Sequence, residues 1–177
     1  MSLDFVPFSP CDADDVINLL AADLAPSDHP TEEERDRVRQ DVIGWYSTDV
    51  TQRTFWILSD GGVRAGVVQI HSLNTSSPMV NIHLQAGSRG KGIGKQALSW
   101  MTHYVFTTYP DKRRIEGFTC SDNVAMRHVF RSCGYVKEGH YRNKDGCREK
   151  TVYGILREDW TTGATTPVNW NDLPSLD

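Results

Sequence analysis

The stretch Ser88-Arg-Gly-Lys-Gly-Ile-Gly-Lys-Gln-Ala-Leu98 places glycines at 90, 92 and 94 among the cations Arg89, Lys91 and Lys95, then continues with a helical period. A bare backbone that runs straight into a helix N-terminus suits an anion. The first N–H groups of a helix have no intrahelical partner, the helix dipole adds partial positive charge there, and glycine lets a phosphate approach without a Cβ. Two further groups could move a proton. His83 shares its strand parity with Met79, Asn81 and Gln85, and Glu116 shares its parity with Phe118 and Cys120. A histidine titrates near neutrality and suits a general base, and a carboxylate can do the same work directly or through water. The competing readings are a hydrogen-bonded strand histidine and a solvated edge charge.

Spacing decides which phosphate the loop fits. A P-loop asks for glycine five positions before its Gly-Lys pair and a hydroxyl after the lysine; here those positions are Arg89 and Gln96. A dinucleotide fingerprint, G-x-G-x-x-G, begins at Gly90 and Gly92, but its third glycine position is Lys95. A third pattern, Arg/Gln-x-x-Gly-x-Gly/Ala between a strand and a helix, is met by Arg89, Gly92 and Gly94. In this feature the sequence resembles the acyl-CoA pyrophosphate loop of the GNAT superfamily of N-acetyltransferases. The resemblance extends to residues 123–139, with Asn123 and Gly134-Tyr135 in register, and covers roughly residues 3–160. Within the superfamily the pattern is most similar to the ribosomal-protein N-terminal acetyltransferases: Gly134-Tyr135-Val136-Lys137-Glu138-Gly139, then Glu149 and Tyr153.

The resemblance implies an acetyl-CoA-dependent N-acetyltransferase in which a primary amine attacks the thioester directly. The acceptor would be a protein N-terminus or a small-molecule amine. Carried over residue by residue, it assigns acetyl-CoA binding to Leu84, Ala86, Arg89, Gly90, Lys91, Gly92, Ile93, Gly94, Lys95, Asn123 and Phe130, with Glu116 and His83 as rival bases. Two positions depart from the family. Phe130 stands where many relatives carry a tyrosine that protonates the leaving thiolate, and Met126 stands where the subgroup often has a serine. A thiolate with a pKa near ~8.5 leaves tolerably without a strong acid. Water or Tyr141 could supply that proton. The same departures motivate an alternative function, a catalytically weak CoA-binding sensor or scaffold. A nucleotide phosphotransferase is a weaker third reading.

Elements positioning these groups follow from periodicity. Residues 3–8 read as a strand. A helix follows from Asp12, with Val16, Leu19, Leu20 and Leu24 on one face, and a charged helix begins at Thr31 with Val38, Val42, Trp45 and Tyr46 as its apolar stripe. Strands 54–58 and 63–71 flank a Ser-Asp-Gly-Gly hairpin turn, and 79–86 forms a third member of the meander. The helix after the glycine loop buries Ile93, Ala97, Trp100, Met101, Tyr104 and Val105. Strand 114–119, a helix over 122–133 closed by Gly134, and strands 135–141 and 150–156 complete the order. The expected fold is a GNAT-like α/β, mostly antiparallel mixed sheet of about seven strands flanked by about four helices. Residues 1–160 form the acetyltransferase domain and 161–177 an extended tail, with Trp170, Leu173 and Leu176 docking on the domain or across a homodimer.

Bulk properties exclude several classes. A net charge of −4 gives no broad basic footprint for nucleic acid. No apolar run approaches the ~18 residues of a membrane span, and the first ten residues lack a signal peptide's basic and apolar regions. A cytoplasmic, bacterial-type enzyme is expected, with its four cysteines reduced. The six histidines form no HxxxH or HExxH pair, so no metal is expected. Asp28, Glu32, Glu33, Glu34 and Asp36 would draw a cationic amine if they line the acceptor cleft, or would simply be a solvated face.

Overall fold

The structure is a computed structural model and describes residues 2–9, 50–144 and 147–170, with 15–16, 31–33, 36 and 40 besides. Strands β1 (Asp4–Pro7), β2 (Arg53–Ser59), β3 (Val63–His71), β4 (Met79–Leu84), β5 (Arg114–Cys120), β6 (Val136–Lys144) and β7 (Cys147–Leu156) form one sheet in the order β1-β2-β3-β4-β5-β7-β6. Helices α1 (Ile93–Thr108), α2 (Val124–Ser132) and α3 (Arg157–Thr162) accompany them. Every neighbouring pair is antiparallel except β4–β5. The expected seven-stranded, mostly antiparallel fold is therefore present. The helices expected over 12–24 and 31–47 fall largely outside the described residues, within which Asp15, Val16, Glu32, Glu33, Asp36 and Gln40 are helical. The short α3 was not foreseen.

The alternation along each strand divides the sheet's two faces. Phe55, Ile57, Val68, Ile70, Val80, Ile115 and Ile155 point to the face covered by α1 and join its buried stripe of Ile93, Ala97, Leu98, Met101 and Val105. The opposite face carries Trp56, Val67 and Gln69, all buried, and there Arg64 stacks over Trp56 at 4.3 Å while pairing with Asp15. Trp56 and Tyr153 are core residues, at 2% and 1% exposure. At the N-terminal edge, the Phe5 ring lies flat on Trp100 (4.0 Å, 7°), and Trp100 in turn stacks on Tyr104 at 5.2 Å.

Two contacts explain residues that pattern alone could only flag. A β-bulge between Lys137 and Gly139 inserts Glu138 on the same face as Arg114, whose guanidinium it pairs with. Its carboxyl also lies over Gly154, where a Cβ would come within 2.5 Å of Glu138 Oε2. Tyr135 hydrogen-bonds Thr102 Oγ1 at 2.9 Å inside the core, and burial pushes its phenol pKa far up. One expectation fails: Cys120 is disulfide-bonded rather than a reduced thiol, while Cys133 is free. The tail from Ala164 to Trp170 has no regular structure, and Lys137 of β6 sits 5.5 Å from the Trp170 ring. Leu173 and Leu176 lie outside the described residues. No described helix is long and apolar enough to cross a membrane.

Candidate active site

The parallel pair β4–β5 lasts only two rungs, Met79↔Glu116 and Val80↔Gly117, after which the strands part. A cleft of about 890 Å³ opens where they separate. Its walls are β4 from Val80 to Leu84, the loop and first turn of α1, the end of β5 and α2. Gln85 N–H bonds Ala65 O on β3 at 3.0 Å, so odd-numbered backbone groups of β4 face β3 and even-numbered ones face β5. Beyond Val80 those of Ile82 and Leu84 have no ladder partner and border the gap. Ile82 was not singled out from sequence, because residue type carries no record of which backbone groups a ladder leaves over.

At the end of β4 the chain makes a tight turn over Ala86–Ser88 and enters the glycine loop. Gly90 and Gly92 have φ of +73° and +80°, and no atom lies within 4 Å of the Cβ either could carry. Those angles favour glycine, and the empty space above them is open to a ligand. Gly94 differs from Gly90 and Gly92: it is already helical, and an added Cβ would make only ordinary contact with Val129 and Leu84. Gly92 caps α1 without any side-chain hydrogen bond, and the first intrahelical bond runs from Gln96 N–H to Gly92 O at 3.2 Å. The N–H groups of Ile93, Gly94 and Lys95 therefore face outward at the positive end of a 16-residue helix. This cradle, with Arg89 and Lys95 at the cleft wall, fits a diphosphate.

The other predicted residues sort by position. His83, Leu84, Arg89, Gly90, Gly92, Ile93, Gly94, Lys95, Asn123 and Phe130 line the cleft; Ala86, Lys91 and Glu116 are not among its lining residues. Leu84 and Ala86, both expected to bind acetyl-CoA, have their carbonyls engaged by Arg89. Its Nε donates to Leu84 O and its N–H to Ala86 O, each at 3.2 Å. Arg89 thus fastens the loop to the end of β4 in addition to bringing charge. Asn123 accepts a 3.0 Å hydrogen bond from Met126 N–H and caps α2, which leaves its amide N–H₂ for the cleft. Phe130 is fully buried and forms the cleft floor, stacked on Tyr153 at 4.9 Å. Gly117 makes room for it, since a Cβ there would lie 2.4 Å from two ring carbons.

Glu116 sits on the last paired rung, and its Oε1 is 3.2 Å from Arg114 Nη2. One carboxylate oxygen is thus engaged by a cation, and the side chain stands below the opening. His83 lies beyond the point of divergence and borders the cleft. Next to it on the same face, Asn81 Nδ2 lies 3.2 Å from His71 Nε2, and burial lowers the His71 pKa. Tyr141 is exposed and stands 6.1 Å, ring to ring, from the cleft residue Phe118. The acidic residues Glu32, Glu33 and Asp36 are exposed. Among the described residues no three His, Cys, Asp or Glu side chains are grouped as a metal site would require.

Comparison with known proteins bears on what this cleft holds. Residues 2–136 match the family described as acetyltransferase (GNAT) domain. Several solved structures share the fold. A chimera built on the spermidine N-acetyltransferase SpeG of Vibrio cholerae superposes with a TM-score of 0.75 at 20% identity, covering 91% of this chain and 99% of the other. The dodecameric structure of that enzyme gives 0.73 at 19% identity, covering 92% and 98%. Its complex with manganese ions gives 0.72 at 19%, covering 92% and 97%. At such identities the likeness concerns the fold.

Proposed function

Because the chain belongs to the GNAT acetyltransferases, we propose that it transfers the acetyl group of acetyl-CoA to a primary amine in the cleft between β4 and β5. The observation that carries this reading is the short parallel pair that opens beside a helix N-terminus free of any side-chain cap, with two left-handed glycines. The diphosphate rests on the N–H groups following Gly92, and the pantetheine arm takes the place of the missing strand. It pairs with backbone groups of Ile82 and with the amide N–H₂ of Asn123. Residues 1–160 act as the catalytic domain and 161–177 as an appended tail.

In the reaction the amine nitrogen attacks the thioester carbonyl, and the carbonyl electrons move to oxygen, where the N–H of Leu84 steadies the oxyanion. His83 accepts the proton the nitrogen gives up. Collapse expels the CoA thiolate, which takes its proton from water, since Met126 and Phe130 have none to give. Glu116 serves the Arg114–Glu138 ion cluster rather than the chemistry.

The acceptor is a protein N-terminus or a small amine. The subgroup pattern at Gly134–Gly139, Glu149 and Tyr153 supports the former. The shared fold with spermidine acetyltransferases brings polyamines into the same test. Thiol release from acetyl-CoA, followed across N-terminal peptides, spermidine and amino sugars, tests the reading. Turnover with at least one amine, reduced at least tenfold by His83→Ala, is expected. Absence of acetyl-CoA binding at micromolar concentration, or binding that survives Gly92→Glu, would overturn it. A homodimer is the assembly we propose, and light scattering in solution measures it.

A further inference from the structure

The sequence puts Asn81 on the strand parity of His83 without giving it a role, and its surroundings supply one. It is the first residue past the last β4–β5 rung whose side chain projects on the face opposite α1, and it borders the cleft. Its Nδ2 is 3.2 Å from His71 Nε2. An amide nitrogen can only donate, so His71 must accept through Nε2 and carry its own proton on Nδ1. The neutral ring that this requires is the form that burial of His71 favours. The Asn81 carboxamide is thereby oriented: its N–H₂ is turned to His71 and its Oδ1 is turned away from it. Gln69, directly across from Asn81 on β3, does not take up that oxygen, because Gln69 Nε2 is buried without any hydrogen-bond partner. No other side-chain hydrogen bond to Asn81 exists among the described residues.

We propose that Asn81 Oδ1, held in place by His71, is the group that receives the acceptor amine and points its lone pair at the thioester. This rests on the acetyltransferase reading above and adds to it a residue that acts on the acceptor. An amine bound in the cleft presents N–H donors, and an outward carboxamide oxygen accepts one of them without neutralising the nucleophile. His83 stands two residues further on the same face, placed to take the departing proton. His71 touches neither substrate and is a positioning residue.

Steady-state kinetics with separate titrations of acetyl-CoA and of the best amine test the proposal. Asn81→Leu should raise KM for the amine at least tenfold and leave KM for acetyl-CoA within twofold. Asn81→Asp, which keeps an oxygen at that position, should stay within about threefold of wild type for the amine. His71→Leu should raise the amine KM several-fold, and His71→Gln, whose Oε1 can accept from Asn81, should restore it. Thermal melting of each variant with and without acetyl-CoA identifies any that fail to fold. The proposal is overturned if Asn81→Leu leaves the amine KM unchanged, if both KM values rise together, or if His71→Gln behaves like His71→Leu. If the wild-type protein binds acetyl-CoA but acetylates no amine, the acetyltransferase reading itself fails, and this proposal with it.

Discussion

Replacing Gly117 by alanine is a small change with a large expected consequence. The new Cβ would fall 2.4 Å from Cε1 and from Cζ of Phe130, whereas carbon atoms in contact prefer about 3.5–4.0 Å. Neither side can yield easily. Gly117 is held by both neighbours, paired with Val80 of β4 and with Tyr153 of β7. Phe130 is fully buried and lies almost parallel to the Tyr153 ring at 4.9 Å. Overpacking of this kind costs about 1–3 kcal/mol, against which alanine in a strand recovers about 0.5–1 kcal/mol of backbone entropy. A net loss of about 1–2 kcal/mol should lower Tm by about 2–8 °C in a chain of this size. Urea unfolding followed by circular dichroism measures it. The diagnostic is the pair with Phe130→Leu. Trimming the ring removes the clash, so the double variant should be more stable than the sum of the single losses by at least about 1 kcal/mol. A Gly117→Ala protein that melts with the wild type, or a double variant that is simply additive, would refute the idea that the cleft floor is set by this contact.

Three other outcomes follow from the same geometry. Gly92→Ala forces an L-residue to a φ of +80° and should cost about 1–2 kcal/mol by thermal melting, with a larger proportional loss in acetyl-CoA affinity by calorimetry. Glu138→Ala removes one of the two carboxylates on the half-buried Arg114. It should destabilise by about 1–2 kcal/mol, between an exposed and a buried pair, while acetyl-CoA affinity stays unchanged. Burial lowers the His71 pKa from 6.5, so the folded state binds fewer protons there than the unfolded one as pH falls. Its contribution is present above about pH 6.5 and lost as pH falls below it, so the urea midpoint should decline on that side and decline less in His71→Gln.

Much of the fold was legible because local chemistry and tertiary structure agree. Gly90 and Gly92 were readable as a ligand loop since glycine is the residue those φ angles ask for, and the α1 stripe was readable since its period matches its burial. The site was legible down to the loop and only partly beyond it. Arg89 reads as charge in a sequence, but its Nε and N–H are spent on two carbonyls of its own chain, a use that only the turn at 86–88 creates. The resemblance offers Glu116 as a base, and the bulge at Glu138, which sets a second carboxylate beside Arg114 and makes a cluster of all three, lies outside what that resemblance shows. A bulge shifts register without any signature in residue type. Asn81 and His71 lie ten positions apart and meet because β3 and β4 pair with His71 opposite Met79. Such a partnership depends on register, which the alternating pattern leaves open among even shifts.

The flat contact between Phe5 and Trp100 gives the beginning of the chain a part in events at the far end of α1. Trp100 lies on the helix whose first turn forms the anion cradle, so β1, the aromatic stack and the cradle form one connected lever. Its outer arm is secured further where Ser2 N–H reaches Asp60 Oδ1 at 2.9 Å. Cutting or burdening residues 2–9 would leave every group in the cleft intact yet loosen the rod that carries the cradle. The damage would register as a shorter residence time of acetyl-CoA, in the dissociation rate rather than in the acceptor's KM.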